Sequence, residues 1–346
     1  MRWILGLVLV IVVVTGALYG VGRFLLPNTL QVSREATIAR PRVAIFSMSN
    51  DLKIVKEWSP LYALDPDADY SFTGDTPGAG QTMRWRSTNR QVGNGQMAIV
   101  RSDENQLIES IIQLNDQVTL NSVMRDQAVS PHSTKVIWTV SAECADGWIN
   151  VPCRYMNLVL RGMIQRHLDA GLARLKVLAN DLPDVDFEDL HPEFETAEPQ
   201  TYVFAPVTTS NTDPAQMDGA LSQGVAQVDA FMAGNALTKS GAQVRVTTAW
   251  DEAQHQVSFR VGYPFAGPTP LTVVGVQIGQ TPSGSVMRVT HHGPRAQIKQ
   301  TYEKIQAYLA AHRIRMRADG LPWEVWTNDG GDADPNATQI EIYVPL

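Results

Sequence analysis

Glu324 stands in the run Leu321-Pro-Trp-Glu-Val-Trp-Thr327, a carboxylate among indoles. Strand side chains alternate faces, so Glu324 and Trp326 share one side while Trp323 and Val325 share the other. A carboxylate half-buried there needs a donor or a cation to meet its charge. The pattern therefore predicts a site for a cation with flat apolar surface, or a general base, against the plain alternative of a solvated Glu on an open sheet face. Cys144 and Cys153 enclose a loop holding Gly147 and Pro152, a spacing that suits a disulfide, with two free thiols as the alternative. His291-His292 reads as a solvated polar pair at a strand end. The acidic spacing of Asp329, Asp332 and Asp334 reads as a hairpin loop rather than a calcium loop, because no Glu follows at the required distance. Hydrolase elbow, zinc-protease, Walker and dinucleotide motifs are absent, and neither a metal nor a cofactor is expected.

The elements around Glu324 occur twice. At a shift of 77, Leu221, Val225, Val228 and Met232 fall on Ile298, Tyr302, Ile305 and Leu309, both sets spaced as one helix face. At a shift of 81, Phe259, Val261, Pro264 and Phe265 fall on Ile340, Ile342, Pro345 and Leu346. Trp250 pairs with Trp326 at a shift of 76, where Thr248 takes the place of Glu324, so only the second module carries the carboxylate. Tyr302 lies on the apolar helix stripe and reads as core; it and Tyr343 are the nearby candidates for a second catalytic group. With Gly293-Pro294, Trp323-Glu324-Val325-Trp326 and the closing Ile-Glu-Ile-Tyr-Val-Pro strand, residues 198–346 resemble the gyrase-inhibitor-like, or effector-binding, domain of bacterial multidrug-responsive regulators. The resemblance implies a pseudo-twofold pair of β-α-β-β modules with a ligand groove in which the strand glutamate, here Glu324, meets cationic or polar ligands. Trp250 and Trp326 would then face that groove from opposite sides.

Earlier in the chain, residues 4–22 form an uncharged apolar run of 19 residues bounded by Arg2 and Arg23, long enough for one transmembrane helix. Residues 1–29 are therefore read as an uncleaved anchor. Arg23, Arg34, Arg40 and Arg42 after the span favour a cytoplasmic body, whereas a disulfide favours the periplasmic side of the inner membrane, which is the expectation adopted.

Residues 30–182 read as a strand (Val32 to Ile38), an apolar helical stretch (Val43 to Val55), short alternating strands from Tyr70 to Cys144, and one long helix from Tyr155 to Ala179. With Asn50-Asp51-Leu52, Glu57-Trp58-Ser59-Pro60, Gly78-Ala79-Gly80 and Gly93-Asn94-Gly95, this order is similar to the START-like polyketide cyclase superfamily. That resemblance implies a helix-grip fold, a curved sheet wrapped on the long helix around an apolar cavity. Trp58, Trp85 and Trp138 either line it or are plain core. Residues 183–197, acidic and Pro-bearing, are expected to be an exposed linker.

The fold class expected is thus α+β, a helix-grip domain and a duplicated β-α-β-β domain behind one transmembrane helix. The charge of -7 carries no basic stripe, so no nucleic-acid partner is expected. The function expected is a membrane-anchored protein binding hydrophobic or amphipathic small molecules. Glu324, Trp326, Trp250, Trp58 and Trp85 are the ligand-binding candidates. The alternative is a hydrolase or cyclase with Glu324 as base, since some relatives of the duplicated module open strained rings. On sequence alone Glu324→Gln should weaken binding of a lipophilic cation at little cost in stability.

Overall fold

The computed structural model describes residues 2–115, 117–269, 274–318, 320–328 and 337–346. The Asp329 to Asp334 segment lies outside them. The protein is α+β with antiparallel sheets, and it divides into two compact units, Met1–Phe187 with Ala310–Arg313, and Glu188–Leu309 with Ile314–Leu346.

The first unit begins with α1 (Arg2–Phe24), whose described side chains from Trp3 to Tyr19 are all exposed. Its stretch Gly6–Phe24 is long and apolar enough to cross a membrane. The chain continues through β1 (Thr29–Ile38), α2 (Arg42–Asn50), α3 (Leu52–Trp58), α4 (Pro60–Leu64), β2 (Asp69–Thr73), β3 (Thr82–Arg86), β4 (Gly95–Asp103), β5 (Leu107–Leu114), β6 (Val118–Ser130), β7 (Ser133–Glu143) and α5 (Val151–Asn180). The seven strands lie in the order β1-β7-β6-β5-β4-β3-β2, so the first strand closes against the last.

The helical stretch expected from Val43 to Val55 is broken in two. Asp51 adopts extended angles and its carboxylate accepts from Lys53 N at 2.9 Å, capping α3. Gln81 holds the break, donating to Asp51 at 2.9 Å and accepting from Leu52 N at 2.6 Å. The long helix starts earlier than its apolar spacing indicates, because Pro152 occupies a first-turn position where no amide partner is needed.

Helix α5 packs on the sheet through Ile164, Leu168, Leu172, Leu175 and Ala179, all buried. Its closest approach is at Gly171, where a Cβ would lie 2.7 Å from Trp138 Cζ3 and 3.6 Å from Pro60 Cδ. Gly171→Ala is therefore expected to destabilise this unit by about 1–3 kcal/mol, the usual cost of overpacking. Urea unfolding checks it; an unchanged midpoint would show that Trp138 has room to move.

The second unit comprises β8 (Glu193–Ala197), β9 (Thr201–Ser210), α6 (Pro214–Gly234), β10 (Thr238–Lys239), β11 (Gln243–Asp251), β12 (Gln256–Ala266), β13 (Gln277–Gln280), β14 (Gly284–His292), α7 (Ile298–Ala311), β15 (Trp323–Asn328) and β16 (Gln339–Pro345). The sheet runs β13-β9-β12-β11-β15-β16-β14-β8, with β10 added on β12. The order β9-α6-β11-β12 recurs as β14-α7-β15-β16, and the two runs meet where β11 pairs β15. On one face Leu221 of α6 and Ile305 and Leu309 of α7 pack on Phe259, Trp326 and Ile342. The opposite face holds a separate cluster with Tyr202, Phe204, Val244 and Trp323.

The acidic segment 183–197 is not wholly an exposed linker. Phe187 is buried, and Glu193–Ala197 is the edge strand β8 on β14. Its charges have a partner the local composition does not reveal: Arg288 of β14 donates to Glu193 at 2.6 Å and to Glu195 at 3.2 Å.

Candidate functional site

Glu324 is buried at 1 % exposure, not solvated, because β15 has side-chain clusters on both faces. Its charge is met from within. β11 and β15 run antiparallel with Arg245 directly opposite Glu324, and the Arg245 guanidinium forms a hydrogen-bonded ion pair with Oε1. The Tyr302 hydroxyl, from α7, donates to the same oxygen at 2.8 Å, and Trp326 Nε1 donates to Oε2 at 2.9 Å. Both carboxylate oxygens are therefore engaged, and the carboxylate is sealed from water.

The electrostatics are mutual. Burial works to lower the Arg245 pKa, but Glu324 and then Tyr302 outweigh it and hold the guanidinium above its ordinary value. Burial first, and then the Glu324 charge, push the Tyr302 hydroxyl well above its ordinary value, so it stays a donor. Aromatic faces complete the cluster: the Arg245 guanidinium lies 5.7 Å from the Phe259 ring and 5.9 Å from the Trp326 ring, and Arg295 lies 4.4 Å over Trp326. The site looks like a carboxylate-and-indole receptor for a cation whose cation is the protein's own arginine.

Two expectations about this region are corrected. Trp250 and Trp326 do not face a common groove: Trp326 is core, whereas Trp250 is 54 % exposed. The residue opposite Trp326 is Gln243, and Trp250 lies about 20 Å further along β11 at strand rise, past the last residue that pairs with β15. There, among the described residues, Trp250 has Val257 of β12 opposite it, and its Nε1 donates to Glu252 at 3.4 Å. His291 is not solvated either. It is buried, with Nδ1 2.8 Å from Thr301 Oγ1 and Nε2 3.3 Å from the Pro294 carbonyl, which ties β14 to the start of α7; His292 is exposed.

Sequence reasoning missed Arg245 as a site residue, and it read Tyr302 as core while naming it, with Tyr343, as a candidate second catalytic group. A signal for Arg245 existed, a lone cation between Val244 and Val246 in an alternating strand. Which strand it would lie beside was not readable locally.

In the first unit the tryptophans have different roles. Trp58 is buried, donates from Nε1 to the Met48 carbonyl at 3.1 Å and meets Trp138 edge to face at 5.5 Å. Trp138 donates to Ser122 at 2.8 Å. Both are satisfied core groups. Trp85 differs. It is buried on β3 and its ring lies against Gly95, where a Cβ would overlap it, yet its Nε1 has no hydrogen-bond partner among the described residues. Directly opposite it on β2 is Tyr70, whose buried hydroxyl also has none. Burial first, then Asp65 and Tyr62, raise the Tyr70 pKa, so its hydroxyl keeps its proton. Two unsatisfied donors therefore belong to directly opposed residues, with Phe72, Met83, Met97 and Ile99 as apolar neighbours in register or alternation and Asp65 near Tyr70. Lys56 covers the outer side, 4.8 Å from the Tyr62 ring and 5.0 Å from the Tyr70 ring.

Cys144 and Cys153 form a disulfide, with Cα atoms 5.9 Å apart. It joins the residue after β7 to the first turn of α5.

No family model and no curated protein matches the chain. Among solved structures the likeness is to START/Bet v1-like proteins and falls on the first half. Norcoclaurine synthase from Thalictrum flavum, in complex with dopamine and hydroxybenzaldehyde, is 13 % identical, covers 44 % of this chain and 87 % of its own, and has a TM-score of 0.36. The Zhui aromatase/cyclase from Streptomyces sp. R1128 is 13 % identical, with 44 % and 94 % covered and a TM-score of 0.34. A START superfamily protein from Mycobacterium smegmatis is 15 % identical, with 44 % and 97 % covered and a TM-score of 0.32.

Proposed function

We propose that this is a membrane-anchored small-molecule-binding protein, in which α1 crosses the inner membrane and the first unit holds an apolar or lipid-like ligand between its sheet and α5. The observation that carries this reading is the pair of orphaned donors, Trp85 Nε1 and the Tyr70 hydroxyl. An unmet buried donor costs about 1–3 kcal/mol, and two on directly opposed residues with apolar neighbours suit an acceptor group at the polar end of an apolar molecule. The Cys144–Cys153 disulfide supports a periplasmic body, since such bonds persist in oxidising compartments.

The test is titration of the purified full chain with a pyrene-labelled fatty-acid methyl ester, whose carbonyl supplies the acceptor. Trp85→Phe and Tyr70→Phe each remove one donor and are expected to weaken binding about five- to tenfold, the worth of one hydrogen bond of ~1–1.4 kcal/mol. Tyr70→Phe should not destabilise the unliganded protein, because it removes only an unsatisfied hydroxyl, whereas Trp85→Phe also leaves a cavity and should lose some stability. Equal affinity in wild type and both variants would overturn the reading.

For the second unit, the repeated β-α-β-β order supports a duplicated effector-binding module of the gyrase-inhibitor type, whose two halves meet at the β11–β15 seam. The Arg245–Glu324 pair joins one residue of each half there. An amphipathic, cationic ligand would reach Glu324 only by displacing Arg245. The hydrolytic alternative loses support from the same geometry, since both oxygens of Glu324 already accept hydrogen bonds.

A further inference from the structure

The first three turns of α5 are inside out. Their buried side holds Arg154 and Asn157 beside Val151, the two polar residues both under a tenth exposed, while Met156, Leu158 and Val159 face outward. The disulfide-closed loop before them presents Trp148 and Ile149, the latter 86 % exposed. A water-facing helix has the opposite pattern. An apolar patch of this kind marks a surface that something covers.

Its occupant follows from what the patch adjoins. Arg154 Nη1 donates to the carbonyls of Arg23 at 2.8 Å and Leu26 at 2.9 Å, closing the carboxyl end of α1 where helix carbonyls have no partner of their own. The Tyr155 hydroxyl donates to the Leu18 carbonyl at 2.7 Å, and a Cβ on Gly22 would overlap Val151. Phe24, exposed at the end of α1, meets Trp148 edge to face at 5.7 Å. Helix α5 thus runs beside α1 in the opposite sense, from Gly22 at Val151 to Leu18 at Tyr155. The uncharged run of α1 ends at Gly22, before Arg23, so Leu18 lies about 6 Å inside its end at helical rise, and Leu158 and Val159 follow Tyr155 by one further turn. The outward face of α5 then changes to Arg161 and Arg166, both exposed, whose long stems can carry their charges to anionic headgroups.

We propose that the first unit is docked on the bilayer that α1 crosses, with Trp148, Ile149, Met156, Leu158 and Val159 inserted among the lipids around α1. The inference rests on the reading of α1 as a membrane span. It adds that α5 has lipid on one side and the ligand-facing sheet on the other, so the unit is held against the membrane rather than tethered above it.

The experiment uses the full chain, its disulfide intact, reconstituted into phosphatidylethanolamine and phosphatidylglycerol vesicles. Val10→Cys, Ile149→Cys, Val159→Cys and Val129→Cys are each spin-labelled, and collision with oxygen is compared with collision with a nickel chelate. All four positions are exposed, so the substitutions disturb no packing. Labels at 10, 149 and 159 are expected to favour oxygen severalfold over the label at 129, which stays in water. If the label at 10 is in lipid while those at 149 and 159 match 129, docking is overturned and the span stands. If 10, 149 and 159 all match 129, both fail. If 149 and 159 are in lipid and 10 is not, α1 does not cross the bilayer, and the docking around it is overturned together with the span.

Discussion

Glu324→Gln is expected to destabilise the second unit by about 3 kcal/mol, the lower end of what breaking a buried ion pair costs, because Arg245 keeps some exposure. The substitution preserves shape, so packing contributes little to the loss. Gln offers an oxygen to the Arg245 guanidinium and the Tyr302 hydroxyl, but its amide then faces the Trp326 N–H, a donor against a donor. Arg245 is left charged among Phe259 and Trp326 with no anion beside it. Arg245→Met should cost a similar amount for the converse reason, an unpaired buried carboxylate. Glu324→Leu with Arg245→Met should recover most of the loss, since the pair's desolvation penalty disappears with its attraction. Wild type, Glu324→Leu, Arg245→Met and their double variant form a double-mutant cycle whose urea unfolding measures the coupling, with Glu324→Gln unfolded beside them. A Glu324→Gln effect within about 0.5 kcal/mol, the range of ordinary surface changes, would show the pair to be dispensable.

With no counter-ion in view, the sequence around Glu324 supports the opposite expectation, a small stability cost and a large effect on a bound cation. The difference lies in register. Alternation in Trp-Glu-Val-Trp shows that Glu324 and Trp326 share a face, and they do, joined by a hydrogen bond. It carries no information on which strand lies beside them. Aligning Trp250 with Trp326 makes Thr248 the counterpart of Glu324 in the other half and does not say what lies across from the carboxylate, where the ladder sets Arg245. Cross-strand charge pairing is decided by tertiary neighbours. Single elements were more legible: the apolar stripe of α7 and the strands of the first unit follow period alone. Asp51 shows the limit of period, because Val43 to Val55 is apolar enough for one helix and only the Gln81 contacts, 30 residues away, fix the break.

The first unit's candidate site was legible only in outline for a related reason. Trp58, Trp85 and Trp138 all lie on the buried side, as aromatic residues in a small sheet domain do. What separates them is whether the indole N–H finds an acceptor, and that depends on Met48 and Ser122, residues with no visible motif. Among the described residues Trp85 is the one of the three left without, opposite a tyrosine hydroxyl that is also without.

Asp126 gives the other large expected effect, and it runs with pH. It lies on β6 with its side chain on the buried face in line with Leu120, Ser122 and Met124, and its Oδ1 has no hydrogen-bond partner among the described residues. Burial pushes its carboxyl up to about 7, with the charge of Arg42 working the other way. In the unfolded chain the same group titrates near 3.9. Below about pH 4 both states hold the proton and there is no penalty. Between about pH 4 and 7 the unfolded chain releases the proton while the folded one keeps it, so stability falls as pH rises, by about 1.4 kcal/mol per unit and on the order of 4 kcal/mol across the window. Above pH 7 the loss is complete and flat. Asp126→Asn cannot ionise, so it should match wild type near pH 4 and exceed it by on the order of 4 kcal/mol at pH 8. Urea unfolding of the full chain in detergent, followed by tryptophan fluorescence at both pH values, reads the difference between the two proteins and cancels every other titrating group. A difference that does not change with pH would mean that Asp126 is ionised in the folded protein throughout, its charge held by Arg42.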